Sequence, residues 1–389
     1  MWNKIKNMKK LRLVFFVLVI ALIIFRICLP TLVKNYVNKV LAEIPGYYGS
    51  IEDIDIALYR GAYVIKGLDI VNTNAKSDIP LIHFPKNDIS VEWRALFSGS
   101  IVAEIYMYEP ELNYVVEDMV TDSTKDEDWT KVLTDLIPIE INHFVIEGGK
   151  MAYIELAADP KIDISVNNLE FNAENLRNVK EDERTLPSPI VGNGISLGGG
   201  NLSINGKVNL LRKIPDADIN LKLESTQLTA FNDVSQEYAK MDFESGNVDT
   251  YAEMALADGN ITGYLKVLFS DVKFLSEEDT LLETAWESVA AFFDLVLQNR
   301  NTENFAIKAP IEGKIDSYSV KTWPTIGSIF KNAFIKGFKS QIDQEVEYRD
   351  AFLEDQIDSL KWYQFKKKAD LKDKREDLQE DKKELNKEN

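Results

Sequence analysis

From residue 50 to about residue 275 the chain alternates apolar and polar residues with a period of two. Every second side chain then falls on one shared face, which predicts strands. In Ile54-Asp55-Ile56-Ala57-Leu58 the residues Ile54, Ile56 and Leu58 share the apolar face while Asp55 turns to water. Arg60-Gly61 leads into a second strand with Tyr63, Ile65, Leu68 and Ile70, where Gly67 reads as a bulge. The pattern recurs around Ile89, Ile101 to Met107, Tyr114, Ile164, Leu221, Met254 and Leu265. The expected fold is mainly β with a few helices, an elongated antiparallel sheet that is greasy on one side. Such a sheet must cover its apolar face with a second sheet, with helices, or with an apolar ligand. About fourteen to sixteen strands stacked ~4.8 Å apart make a sheet of roughly 70 Å at most. Its inward candidates are Ile54, Ile56, Leu58, Ile101, Ile105, Leu221, Leu223, Leu265 and Val267, residues that would equally line a closed core.

Helical spacing is confined to a few places. Asp128 to Ile137 carries Trp129, Val132, Leu133 and Leu136 before Pro138, and a second short helix is expected from about Thr229 to Lys240. Ser276 caps an acidic first turn and an amphipathic stripe ending near Arg300. Two short strands, Phe305 to Ala309 and Glu312 to Tyr318, precede another amphipathic helix over Ile326 to Ile342. Arg177 to Gly200, with Pro187, Pro189 and several glycines, reads as one long loop.

The first thirty residues have a different texture. A basic head with Lys4, Lys6, Lys9, Lys10 and Arg12 precedes an apolar run from Leu13 to Leu29 that only Arg26 interrupts. A hydrocarbon core about 30 Å thick needs roughly 20 helical residues, which Leu11 to Leu29 nearly supplies with Arg26 snorkelling at the far interface. A cleaved signal peptide shares the basic start and apolar middle, but the exit Arg26-Ile27-Cys28-Leu29-Pro30 offers no small-x-small site. The expectation is an uncleaved single-pass anchor with its head in the cytoplasm and the bulk of the chain exported. The expected division is head and anchor over 1–30, groove domain over 31–275, its helix-strand-helix end over 276–342, and a charged helical or disordered tail over 343–389, with Trp362, Tyr363 and Phe365 as a docking anchor or a cap.

Charge narrows the function. With 45 basic and 63 acidic residues the net charge is -18, which disfavours nucleic acid as a partner. Cys28 is the one cysteine and His83 and His143 the only histidines, so a disulfide framework, a zinc site or a histidine-based triad has little material. Gly200 and Gly206 before Lys207 are one residue too far apart for a phosphate-cradling loop, and Val208 replaces the needed hydroxyl. No cofactor, no metal and no catalysis are expected.

Several segments together resemble a known family: Ile44-Pro45-Gly46-Tyr47; Leu96-Phe97-Ser98-Gly99-Ser100-Ile101-Val102 leading to Glu109-Pro110-Glu111-Leu112; Ile141 to Gly148; Gly259 to Val267; and Val320-Lys321-Thr322-Trp323-Pro324 before Asn332-Ala333-Phe334. In this order, from about residue 12 to 340, they resemble the bacterial AsmA-like envelope proteins, in particular domain-of-unknown-function family 748. The resemblance implies a bacterial inner-membrane anchor carrying a periplasmic β-groove of the bridge-like lipid-transfer type. It implies phospholipid or another acyl-chain lipid as ligand, and a role in lipid transport, outer-membrane biogenesis and envelope integrity. It brings no catalytic residues, and the larger relatives are far longer. A groove this short would need an envelope protein partner, a homo-oligomer or a shuttling role. The alternative is a non-catalytic scaffold or regulator of envelope assembly acting through protein partners.

Overall fold

The computed structural model describes residues 2–44, 46–97, 101–119, 139–176, 185–209, 216–239, 242–275, 305–314, 334–335 and 341–352. Helix α1 (Trp2–Ala42) leads into strands β1 (Tyr47–Ala57), β2 (Ala62–Asn72) and β3 (Ile82–Val91), then the short helix α2 (Trp93–Phe97). Next come β4 (Ile101–Tyr108), β5 (Glu111–Val115), α3 (Val116–Met119), β6 (Ile139–Glu155), β7 (Ile162–Leu176), β8 (Ser188–Ser196) and β9 (Asn201–Asn209). Strand β10 (Asp216–Gln227) is followed by a 3-10 turn at Leu228–Phe231 and α4 (Asn232–Ala239). The series closes with β11 (Phe243–Ala257), β12 (Asn260–Phe274), β13 (Phe305–Lys314) and β14 (Phe334–Ile335).

Among the described residues all fourteen strands belong to one sheet, in which each strand from β6 onward pairs with the next. Pairing is antiparallel except where β6 meets β4 and β5. Those two are consecutive pieces of one strand line, broken at Glu109-Pro110 where Glu109 takes φ 52°. Parallel pairing demands a return across the sheet, which the chain makes between Val115 and Ile139. Thirteen strands lie side by side along this path, so the stack measures about 60 Å at ~4.8 Å per strand.

Two creases cross the sheet. At the first, the break in β4 and β5 lies beside Gly148 (φ 69°) and a register shift in β6, and beside Asn168 (φ 49°) in β7. At the second, Ser225 (φ 62°), Gly246 (φ 135°) and Asp271 (φ 54°) fall on β10, β11 and β12. Bulges of this kind raise local twist and bend a sheet.

Several expectations need correction. Leu58 lies in a 3-10 turn at Leu58–Arg60 rather than on the strand face, because β1 ends at Ala57. Gly67 is a left-handed kink at φ 58° and not a bulge, since the register runs from Asp53↔Lys66 to Ile51↔Leu68 with nothing inserted. Much of the expected loop 177–200 is strand β8. Its glycines are there for space: a Cβ on Gly192 would sit 3.1 Å from the Phe171 ring, and one on Gly194 2.8 Å from Val166. Pro310 does not divide β13, where it faces Tyr264. Within the helix expected over 326–342, Phe334–Ile335 instead pair with Lys308 and Ile307, giving the outer edge of β13 backbone partners. The short helix expected from about Thr229 to Lys240 is present, as the 3-10 turn continued by α4. The helices expected at 128–137 and 276–300 and the segment around Trp362 lie outside the described residues.

Helix α1 is longer than the apolar run. Its 41 residues continue through Pro30 and measure about 60 Å. From Arg12 on it is long and apolar enough to cross a membrane. Its second half lies along the outer edge of β1. Asn38 Oδ1 accepts from the Ile51 amide and Asn38 Nδ2 donates to the Ile51 carbonyl, Lys34 donates to Glu52 O, and Arg26 donates to Ile56 O at 2.5 Å. An edge strand presents unpaired backbone groups, and the helix supplies partners for them.

Candidate functional site

The register shows whether the scattered apolar positions share one face. Residues directly opposite on neighbouring strands point the same way. From Ile54 the partners run to Ile65, Asn87, Met107 and Ile146. They continue through Phe171, Gly192 and Ile204 to Leu221, Ala252, Leu265 and Ala309. The neighbouring row starts at Ile56 and Tyr63, passes Ile89, Ile105, Phe144 and Ala173, and ends at Met254, Gly263 and Ile311. Both rows cross twelve strands without a charged residue.

This face gathers most of the residues picked from the sequence. Ile54, Leu221 and Leu265 are on the first row, Ile56 and Ile105 on the second. Leu223 and Val267 are one step along on the same face, both opposite Thr250. Ile101 pairs with Ile139 at the start of β4. Leu58, in the turn after β1, is off the face.

The residues differ in how far they are enclosed. Ile54 is buried, and Val267 is buried in a cluster with Leu228, Phe243, Phe269 and Ile307, under the turn that follows β10. Ile56, Ile105, Leu221, Leu223 and Leu265 are half-buried. Val267 is thus a core residue, while the middle of the face keeps part of its apolar surface accessible.

Asn87 is the one amide in the first row. It is buried, and among the described residues neither its Nδ2 nor its Oδ1 has a hydrogen-bond partner. Tyr63 stands on the adjacent strand in the second row, and burial pushes its phenol pKa up. His83 is bound to Asp69 at 2.6 Å, a surface pairing at the rim of the sheet.

The reverse face of β11 to β13 is closed by the chain itself. Residues 341–352 lie across it as a strap, where the sequence predicts a charged helical or disordered tail from 343 onward. The reason is a cluster of charges inside the sheet. Lys266, wholly buried, is directly opposite Lys308, an arrangement that like charge makes unfavourable on its own. Asp343 lies between them, bonded to Lys266 and, at 2.8 Å, to Lys308, which also holds Glu345 at 2.6 Å. Desolvation acts to raise the Asp343 pKa, but the two ammonium groups outweigh it and hold the carboxyl below its ordinary range. Lys308 stands 4.0 Å from the centroid of the Tyr264 ring, whose hydroxyl accepts from the Asp343 amide.

Glu253 completes the cluster. Buried on β11, its carboxylate accepts the amides of Gln344, Glu345 and Val346 at 2.6, 2.8 and 3.2 Å. Farther along, Tyr348 donates its amide to Asp218 and its hydroxyl to Asp216, and Ala351 and Phe352 pack on Ala255 and Ala257. The sequence carried one signal of this arrangement: Glu253, Lys266 and Lys308 are single charges flanked by apolar residues on long strands. The strap takes the reverse face at β10 to β13 and does not cover the apolar face. The chain matches no family model and no curated protein.

Proposed function

We propose that the chain is a membrane-anchored lipid-binding protein whose apolar sheet face receives the acyl chains of phospholipid, in the manner of the AsmA-like envelope proteins it resembles. The observation that carries the reading is the pair of charge-free rows from β1 to β13, apolar except for Asn87 and the Tyr63 hydroxyl, in which Ile105, Phe171, Ile204, Leu221 and Leu265 are half-buried while Ala173 and Ile190 are buried. Burying a sixteen-carbon chain is worth on the order of 12 kcal/mol at about 0.8 kcal/mol per methylene. A one-sided apolar face therefore lowers the cost of lifting lipid from a bilayer. Helix α1 holds the face at the membrane as a single-pass anchor of the bacterial inner membrane, with the basic head in the cytoplasm and the sheet in the periplasm. The role is binding or transfer toward the outer envelope, with no chemistry on the lipid.

Photo-crosslinking tests this. A benzoylphenylalanine placed at Leu221 or Leu265 of the full chain, in membranes labelled with radioactive phosphate, is expected to capture phospholipid. The same group at Asn205, exposed on the reverse face, is expected to capture none. Equal labelling at all three positions, or none at any, overturns the proposal. Leu221→Asp places a carboxylate in the first row and is expected to remove capture at Leu265 while the strap and the sheet persist.

A further inference from the structure

The geometry points to a second membrane contact: the end of the sheet formed by the Leu58–Arg60 turn and α2 sits in the interface of the bilayer that α1 spans. This rests on α1 as a membrane anchor and goes beyond it, because nothing in an anchored domain requires the sheet itself to touch lipid.

Direction is the first observation. Asn38, Lys34 and Arg26 of α1 meet Ile51, Glu52 and Ile56 of β1, so the two elements run antiparallel. Twelve helical residues cover about 18 Å and five strand residues about 17 Å, so the helix and strand stay in step over this length. Past Ile56 the chain continues toward the N-terminal half of α1. The Leu58–Arg60 turn then comes level with the helix roughly one turn before Arg26, among Leu22, Ile23, Ile24 and Phe25, all exposed on the helix.

Composition is the second. Tyr59 is 86% exposed, Phe97 85%, Leu58 42% and Trp93 39%. Four large apolar or aromatic side chains at one end of the sheet are far from what a water-facing turn needs. The Trp93 indole N–H donates to Leu58 O at 3.0 Å, and the Trp93 and Phe97 rings stack with centroids 6.2 Å apart, so the two connections form one patch. Arg60 and Arg94 are exposed beside them. Level with Leu22 to Phe25, the patch lies about 6 to 10 Å inside the end of the apolar run at Leu29, the depth of the headgroup and acyl boundary, where aromatic rings settle and arginines reach out to the headgroups. The occupant is therefore the membrane surface and not a protein partner. Docking the turn there fixes the first strands of the apolar face against the lipid from which chains would enter.

The test uses the full chain with Cys28→Ser and single cysteines carrying an environment-sensitive fluorophore, reconstituted in phosphatidylcholine–phosphatidylglycerol vesicles with or without lipid brominated near the ester end of its chains. Labels at Tyr59 and Phe97 are expected to lose emission in brominated vesicles, as is a label at Leu18 within the apolar helix. A label at Asn74, exposed at the opposite end of β2, is expected to keep its emission. All these positions are exposed, so the label does not disturb the core. Quenching at Leu18 with none at Tyr59 and Phe97 overturns the interfacial contact and leaves the anchor standing. No quenching at Leu18 overturns both.

Discussion

Replacing Glu253 with alanine removes the carboxylate that receives three consecutive strap amides. Hydrogen bonds to a charged group contribute about 1.5 to 3 kcal/mol each, so three of them at the low end amount to about 4.5 kcal/mol. The amides do not stay buried and unpaired, because the strap can leave the sheet and expose them to water; the loss therefore falls on local opening more than on global unfolding. The expected result is that hydrogen exchange at Gln344, Glu345 and Val346 speeds up by about a thousandfold, the equivalent of roughly 4 kcal/mol. Amides in β7 to β9, which the strap does not touch, are expected to keep their protection. Unchanged exchange in the strap would show that Glu253 is not what holds it. Equal acceleration throughout the sheet would show that strap and sheet form one cooperative unit.

Two further perturbations follow from buried polar groups. Asn87→Leu removes an amide whose donor and acceptor are both unpaired among the described residues, and is expected to raise stability by about 1 to 3 kcal/mol in urea denaturation; a loss of stability would refute the unpaired environment. The strap is expected to be pinned across a wide pH range with a limit at each end. The Asp343 carboxyl is held below its ordinary 3.8, so its contribution is present above that value and vanishes as pH falls through the lowered pKa. For Lys308, burial acts to lower the pKa, but its bonds to Asp343 and Glu345 prevail and raise it above 10.5, so its contribution is present below that value and vanishes as pH rises through the raised one. A spin label at Arg349→Cys, in the Cys28→Ser background, should remain immobile at neutral pH and become mobile only in strong acid or strong alkali. Mobility at neutral pH would contradict the pinning.

Some of this protein was legible without coordinates. The apolar run after a basic head is a membrane-length helix because bilayer thickness sets the length, and the two-residue alternation means strands because a pleat has that period. The same period explains why seven of the candidates picked from single strands meet on one face: parity within a strand carries across the sheet once the register is set. Leu58 failed because alternation does not say where a strand stops, and Gly61, at φ 64°, closes a turn there instead. The glycines of β8 read as a loop because the large neighbours that need their space, Phe171 and Val166, are more than twenty residues away in sequence.

Tertiary structure decided what long-range pairing controls: the parallel join of β4 and β5 to β6, the continuation of α1 along the edge of β1, and the strap on the reverse face. A run of Asp, Gln and Glu near residue 343 has the composition of a solvated tail. It becomes part of the core only because β12 and β13 set Lys266 against Lys308, and two ammonium groups held side by side away from water require an anion between them.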